Sequence, residues 1–183
     1  MAFTGHNLVI GMTGCGKSTL LKIEIIPAFK KKGIQSAVLD PLGDPTFAAD
    51  FSTKDSMEFI RFAYTHSNYI LVVDESGRAV GRYNSVMQNL ATEIRHKGNL
   101  SFFATQGVTQ LAPVVRDQCA NVFVFNCSRR NFEIIADEFA KPELLKLKTL
   151  DKGEFYYVPR FGSIRSGRID FAKRKVYYDK LSE

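Results

Sequence analysis

The sequence predicts an α/β domain: a mainly parallel central sheet flanked by helices. Three observations carry this reading. Five short runs, at residues 7–10, 36–39, 69–73, 100–105 and 121–125, are apolar almost throughout, and stretches of helical spacing separate several of them. The first run opens into a glycine-rich turn that leads straight into one of those helical stretches, and the most apolar run ends on two adjacent carboxylates. Runs that are apolar rather than alternating mark strands buried on both faces, and strand–helix alternation is the pattern that yields a parallel sheet.

Taken in order, residues 7–10 read as a buried strand ending in a loop. Residues 17–32 follow as a helix, with Leu20, Leu21, Ile23, Ile25, Ile26 and Phe29 on its apolar side and Pro27 expected to kink or split it. Gly33 closes that helix, and lysines 30–32 suit the negative end of its dipole. Residues 36–39 form the second strand, residues 56–65 a short helix, and residues 69–73 the strongest strand. A helix over about 83–96, closed by Gly98, precedes the strands at 100–105 and 121–125. After about residue 150 the character changes: 155–158, 168–171 and 175–178 read as short strands of a basic, aromatic-rich tail. The expected division is a core over 1–150 and a β-rich extension over 151–183, packed on or beside it. Two glycine-bearing stretches of the tail, 161–163 and 166–167, read as turns able to order on assembly.

The chain has 183 residues, 45% of them hydrophobic, enough for one packed domain and too many for a disordered chain. Its three cysteines, Cys15, Cys119 and Cys127, have no CxxC spacing, which argues against a disulfide scaffold or a zinc site. No run is long enough to span a membrane and no export leader is evident, so a cytosolic setting is expected. The net charge is +6 and unevenly placed. Residues 1–140 hold 14 basic and 13 acidic side chains, whereas residues 141–183 hold 11 and 6. An anionic partner is therefore expected to meet the tail.

Gly11, Met12, Thr13, Gly14, Cys15, Gly16, Lys17 and Ser18 fit GxxxxGK[ST] at every fixed position, between a strand and a helix, where that motif has to lie. Backbone N–H groups of such a loop converge on phosphate oxygens. Lys17 would reach the β- and γ-phosphates, the Ser18 hydroxyl would ligate Mg²⁺, and Thr19 would donate to the α-phosphate. This predicts a nucleoside-triphosphate-binding protein. Asp74, at the end of its apolar strand, is the expected partner of Mg²⁺ and Ser18. Glu75 is placed to accept a proton from a water attacking the γ-phosphate, a need of hydrolases and not of small-molecule kinases. Gln106, just past the next strand, would face the γ-phosphate and position water or sense the phosphate. No NKxD motif follows a later strand and no LSGGQ stretch occurs, which disfavours a Ras-like GTPase and a transporter-type ATPase. Arg78 and Arg82 keep a nucleotide-kinase lid in play.

The ordered set resembles the FtsK/HerA superfamily of DNA-pumping ATPases. It comprises the phosphate loop, Asp40-Pro41 after the second strand, Asp74-Glu75, the approach through Arg95 to Gln106, and Arg129-Arg130 after the fifth strand. The compact length is similar to that of the genome-packaging ATPases of tailless, membrane-containing icosahedral viruses. The resemblance implies a RecA-like (ASCE) P-loop fold and ATP hydrolysis with Mg²⁺ in a pentameric or hexameric ring. It also implies an arginine acting in trans, Arg95 or Arg130, and translocation of double-stranded DNA into a capsid. Arg160, Arg165, Arg168, Arg174 and Lys175 would grip the DNA backbone. Capsid-vertex or viral membrane proteins would be further partners, and host cytoplasm or virion the location. A cellular or plasmid DNA-transfer ATPase, a small-molecule phosphotransferase and a nucleotide-gated assembly switch are the alternatives.

Overall fold

The computed structural model describes residues 5–75, 88 and 92–180. Nine strands form one sheet in the order β3-β2-β4-β5-β1-β6-β7-β8-β9. They are β1 (His6–Ile10), β2 (Ser36–Leu39), β3 (Phe51–Thr53), β4 (Ile70–Val73), β5 (Leu100–Thr105), β6 (Cys119–Phe125), β7 (Glu154–Pro159), β8 (Arg165–Asp170) and β9 (Lys175–Lys180). The six from β3 to β6 are parallel, and β7, β8 and β9 join antiparallel. β1 is central and fully buried, with β5 on one side and β6 on the other.

Alternate residues of each strand feed two cores, one on each face. Val9, Val38, Val72, Phe102, Ala104 and Phe123 meet Leu20, Leu21, Ile25 and Phe29 of the first helical stretch. Leu8, Ile10, Leu39, Leu71, Val73 and Val124 meet Phe59, Ala63, Val115 and Ile135 of the helices on the opposite face. Both faces are covered, which is why the parallel strands are apolar throughout. That first stretch, α1, runs as Lys17–Leu20, a π-helical turn Leu21–Ile25, and Ile26–Lys30. The π turn lies immediately before Pro27, which has no N–H to give and whose ring crowds the preceding turn. The expected split is thus a widened turn. On the other face lie α2 (Ser56–Thr65), α3 (Pro113–Asp117) and α4 (Arg129–Glu138).

Most of the expected helix over 83–96, with Arg78 and Arg82, lies outside the described residues. Its end, Ile94–Lys97, is a 3₁₀ turn. Residues 166–167, read as a turn from sequence, are instead interior to β8, where Gly167 lies flat against the Phe155 ring.

Residues 151–180 are not set apart from the rest. β7 pairs with β6 along its length, and a buried polar chain fixes the register: Tyr157 Oη donates to Asn121 Oδ1 (2.8 Å) and Asn121 Nδ2 donates to Asn7 Oδ1 (2.9 Å). A slip by one residue would strand these groups in the core. At the amino ends of the parallel strands, Arg160 locks the extension down. Its guanidinium donates to the carbonyls of Cys119 (2.7 Å), Glu138 (2.5 Å) and Arg116 (3.2 Å), and lies 4.4 Å from the Phe139 ring centroid. Arg160→Ala is expected to cost about 2–4 kcal/mol, because it removes charge-assisted bonds and leaves inward-facing carbonyls unpaired. Urea unfolding monitored by circular dichroism checks this; an unchanged midpoint would refute the clamp.

Candidate nucleotide site

The site is assembled where three strand ends meet. The phosphate loop leaves β1 and is stitched to both neighbours: the Gly11 N–H donates to Thr105 O (3.2 Å) and the Met12 N–H to Asn126 O (2.9 Å). A Cβ on Gly11 would stand 2.6 Å from Phe125 Cβ and 2.7 Å from Cys15 Sγ, so only glycine fits there. At the other end of the loop Gly16 adopts φ 120°, a conformation that turns the chain into α1 and that side chains resist. Cys15 is buried beneath the loop, and burial pushes its thiol pKa up, away from redox reactivity.

Lys17 is only 6% exposed and folds back over the loop, its Nζ donating to Gly11 O (2.8 Å) and Met12 O (3.1 Å). Phosphate oxygens offer the same ammonium charged acceptors in the same cradle. Ser18, in the first turn of α1, donates to Asp74 Oδ2 at 2.6 Å, bridging the loop to the end of β4. Asp74 also accepts the Glu75 N–H at Oδ1 (3.1 Å). Burial is the main cause of a raised Asp74 pKa, opposed by the Ser18 bond and reinforced by the negative charges of Asp40 and Glu75.

Glu75 sits at φ 51°, a conformation rare for a non-glycine residue, and its Oε2 accepts a long bond from Gln106 Nε2 (3.4 Å). The structure therefore brings together Lys17, Ser18, Asp74, Glu75 and Gln106 from the ends of β1, β4 and β5. A hard divalent cation fits the Ser18–Asp74 pair, which offers oxygen donors only, one of them a buried carboxylate in a negative field. Among the described residues no three His, Cys, Asp or Glu side chains cluster as a metal site. Mg²⁺ at a phosphate does not need one, because it keeps waters and phosphate oxygens as ligands.

Asp40 proves to be a scaffold: its carboxylate accepts from Leu42 N (2.9 Å) and Asp44 N (2.6 Å), tying up the turn after β2. Sequence reasoning missed what that turn does. Asp44 pairs with Lys22 on α1, and the Lys22 and Thr46 hydrogen bonds hold its carboxyl well below the usual range. The tether fixes α1 against the β2 end, although the i+22 spacing of Lys22 and Asp44 carries no sequence signal.

The arginines separate. Arg130, in the first turn of α4 at the same end of the sheet as the phosphate loop, is exposed and has no partner among the described residues. Arg129 beside it is engaged with Glu133 (3.2 Å) and Leu145 O (3.3 Å). Arg95 lies in the turn before β5, at the opposite end of the sheet. Of the tail cations, Arg160 is corrected: its guanidinium points inward to backbone carbonyls and cannot grip DNA. Arg168 and Lys175 flank Tyr177 on one face of the β8–β9 hairpin, at 5.8 Å and 5.4 Å from its ring centroid. Arg165 and Arg174 are exposed at its two ends.

Neither a protein-family model nor a curated protein matches the sequence. Solved structures do. The genome packaging NTPase B204 of Sulfolobus turreted icosahedral virus 2, in complex with AMPPCP, superposes with a TM-score of 0.72 at 18% identity, covering 98% of this chain and 99% of that one. The chain shares the fold of that P-loop NTPase. VirB4 of Thermoanaerobacter pseudethanolicus shares that fold with a TM-score of 0.60 at 11% identity, over 97% of this chain and 89% of that one. The cytoplasmic domain of the type VII secretion ATPase EccC of Thermomonospora curvata does so with 0.61 at 15%, over 98% and 24%. Among the described residues no helix is long and apolar enough to cross a membrane.

Two outcomes follow from this geometry. Lys17→Ala should abolish binding of an ATP analogue, read by calorimetry, with circular dichroism unchanged. Asp74→Asn should raise the thermal midpoint of the nucleotide-free protein at pH 7. A carboxyl whose folded pKa is raised favours the native state below its unfolded pKa and loses that contribution as pH rises through the folded one. The advantage of the neutral amide should therefore vanish below about pH 4. A midpoint difference independent of pH would contradict the buried-charge assignment.

Proposed function

We propose that this protein is an ATP-hydrolysing motor that drives double-stranded DNA into a viral capsid, working as a ring of identical subunits. The observation that carries the reading is the Ser18–Asp74 bond with Glu75 and Gln106 beside it, which supports reading the first two as a metal-binding pair and the last two as a water-activating pair. Lys17 and the loop N–H groups hold the β- and γ-phosphates. Ser18 and Asp74 hold Mg²⁺, whose chemistry is to neutralise charge on the phosphate oxygens. Glu75, its backbone set by the positive φ and its carboxylate steadied by Gln106, takes the proton of the attacking water. Gln106 reports γ-phosphate occupancy to β5.

Arg130 or Arg95 of a neighbouring subunit supplies the arginine in trans, worth about 10³–10⁵ in rate. Arg95 lies at the far end of the sheet from its own phosphate loop, which suits action on a neighbour and not on its own nucleotide. Arg165, Arg168, Arg174 and Lys175 grip the DNA backbone, a contact that carries no sequence readout. The near-complete mutual coverage with the viral packaging NTPase favours packaging, and a DNA-transfer motor of the same fold is the second reading.

Steady-state ATP hydrolysis, with and without long double-stranded DNA, tests the proposal. DNA should stimulate turnover, and the stimulation should fade steeply between about 50 and 200 mM salt. Glu75→Gln should lower turnover by about 10²–10⁴ while still binding nucleotide. Turnover indifferent to DNA in a demonstrably oligomeric preparation would sink the DNA-motor reading.

A further inference from the structure

We propose that Phe171 is the platform on which the nucleobase stacks, so that the β8–β9 turn completes a nucleoside triphosphate site begun by the phosphate loop. The inference rests on the nucleotide-binding reading above and adds the part of the site that the motif does not specify.

Topology sets the direction. Asp74, Glu75 and Gln106 follow β4 and β5, on one side of β1. The γ end of a triphosphate points to them, so the nucleoside must leave across the opposite side, over β6, β7 and β8. There, at the same end of the sheet, Phe171 follows β8 with 41% of its surface exposed. Among the described residues the other strongly exposed phenylalanine, Phe161 at 89%, is at the far end of the sheet, in the β7–β8 loop.

The ring borders the cradle itself. A Cβ placed on Gly16 would lie 3.6 Å from Phe171 Cζ, and one on Gly153 would lie 2.7 Å from Cε2. Ile169, two residues earlier on the same face of the strand, packs beneath Gly16 at 3.0 Å on the same measure. The platform is fixed to the loop it serves: the Gly153 N–H donates to Cys15 O (3.0 Å), and the Ile169 N–H to Gly153 O (2.9 Å). The Asp170 carboxylate caps the turn by accepting from Lys173 N (2.9 Å). Lys152 places its ammonium 5.6 Å from the ring centroid and also lines a cavity of about 180 Å³ with Met12, Thr13, Gly14, Cys15 and Asn126. An aromatic ring held open to solvent, at the end of a strand tied through Gly153 to a phosphate cradle, has the shape and chemistry of a base-stacking surface.

The chain contains no tryptophan, so Phe171→Trp introduces a single indole at the platform. Its emission should be quenched by AMPPCP with Mg²⁺ and not by tripolyphosphate with Mg²⁺. In calorimetry, Phe171→Ala should lose about ten- to a hundred-fold in AMPPCP affinity, with tripolyphosphate affinity within about two-fold of wild type and Phe171→Tyr retaining both. Wild-type AMPPCP affinity in Phe171→Ala would overturn the assignment. So would an equal loss of both ligands, which would make the ring a mere prop for the loop. A tryptophan signal that follows protein concentration instead of nucleotide would overturn it in favour of a subunit contact. If the wild-type chain binds neither ligand, the nucleotide-binding reading itself fails, and this proposal falls with it.

Discussion

The phosphate loop hangs from both of the strands that flank β1, through Gly11 N–H to Thr105 O and Met12 N–H to Asn126 O, and the rest of the site is laid out from those two bonds. Because one anchor is the last residue of β5, the next residue, Gln106, emerges beside the loop. Because the other lies just past β6, the chain that leaves it, through α4 to β7, occupies the opposite flank. The arrangement needs the loop root to pass so close to Phe125 and Cys15 that position 11 can carry no side chain. It also needs β1 central, since only a strand with a parallel neighbour on each side can hang its loop from two carbonyls. Strand order and loop sequence are thus one constraint, and it is the one that places open α/β sites at the point where strand order switches direction.

Within that frame the site concentrates charge at the root of the phosphate loop. Asp74 is buried, carries a raised pKa, and shares its field with Asp40 and Glu75, while Lys17 curls back to satisfy itself on loop carbonyls. Beside them Glu75 holds a positive φ, a conformation that side chains resist. In the proposed function a divalent cation would partner Asp74 and anionic phosphate oxygens would partner Lys17. A ligand that binds only the native state in this way would stabilise the fold as well as occupy the site.

How much of this the sequence showed follows from the range over which each signal acts. The phosphate loop, Asp74-Glu75 and Gln106 are local patterns at the ends of apolar strands, and the strands themselves announce double-sided burial by being apolar throughout. β3 did not show: its three residues are only half-buried and form a strand because β2 offers an unpaired edge. Arg160 read as a surface cation because nothing nearby in sequence reveals the carbonyls of Arg116, Cys119 and Glu138 that surround it. The register of the extension depends on Asn7, Asn121 and Tyr157, which are joined only once the fold exists. What was lost in each case was a long-range contact; what was legible was periodicity and spacing.

The extension's place in the sheet bears most directly on how such a machine would transmit force. One face of the β8–β9 hairpin supports the phosphate loop, through Ile169 beneath Gly16 and through the Gly153–Cys15 bond. The other face carries Arg168 and Lys175 around Tyr177. In the proposed motor the cradle that senses phosphate and two of the DNA-holding cations, Arg168 and Lys175, lie on opposite faces of a single sheet. Paired on one side to β7, which is itself bonded to β6 and clamped at its far end by Arg160, the hairpin is continuous with the core sheet. A grip on a separate domain would need a relay across a linker. Here a shift of the phosphate loop is already a shift of the strand that carries the charges.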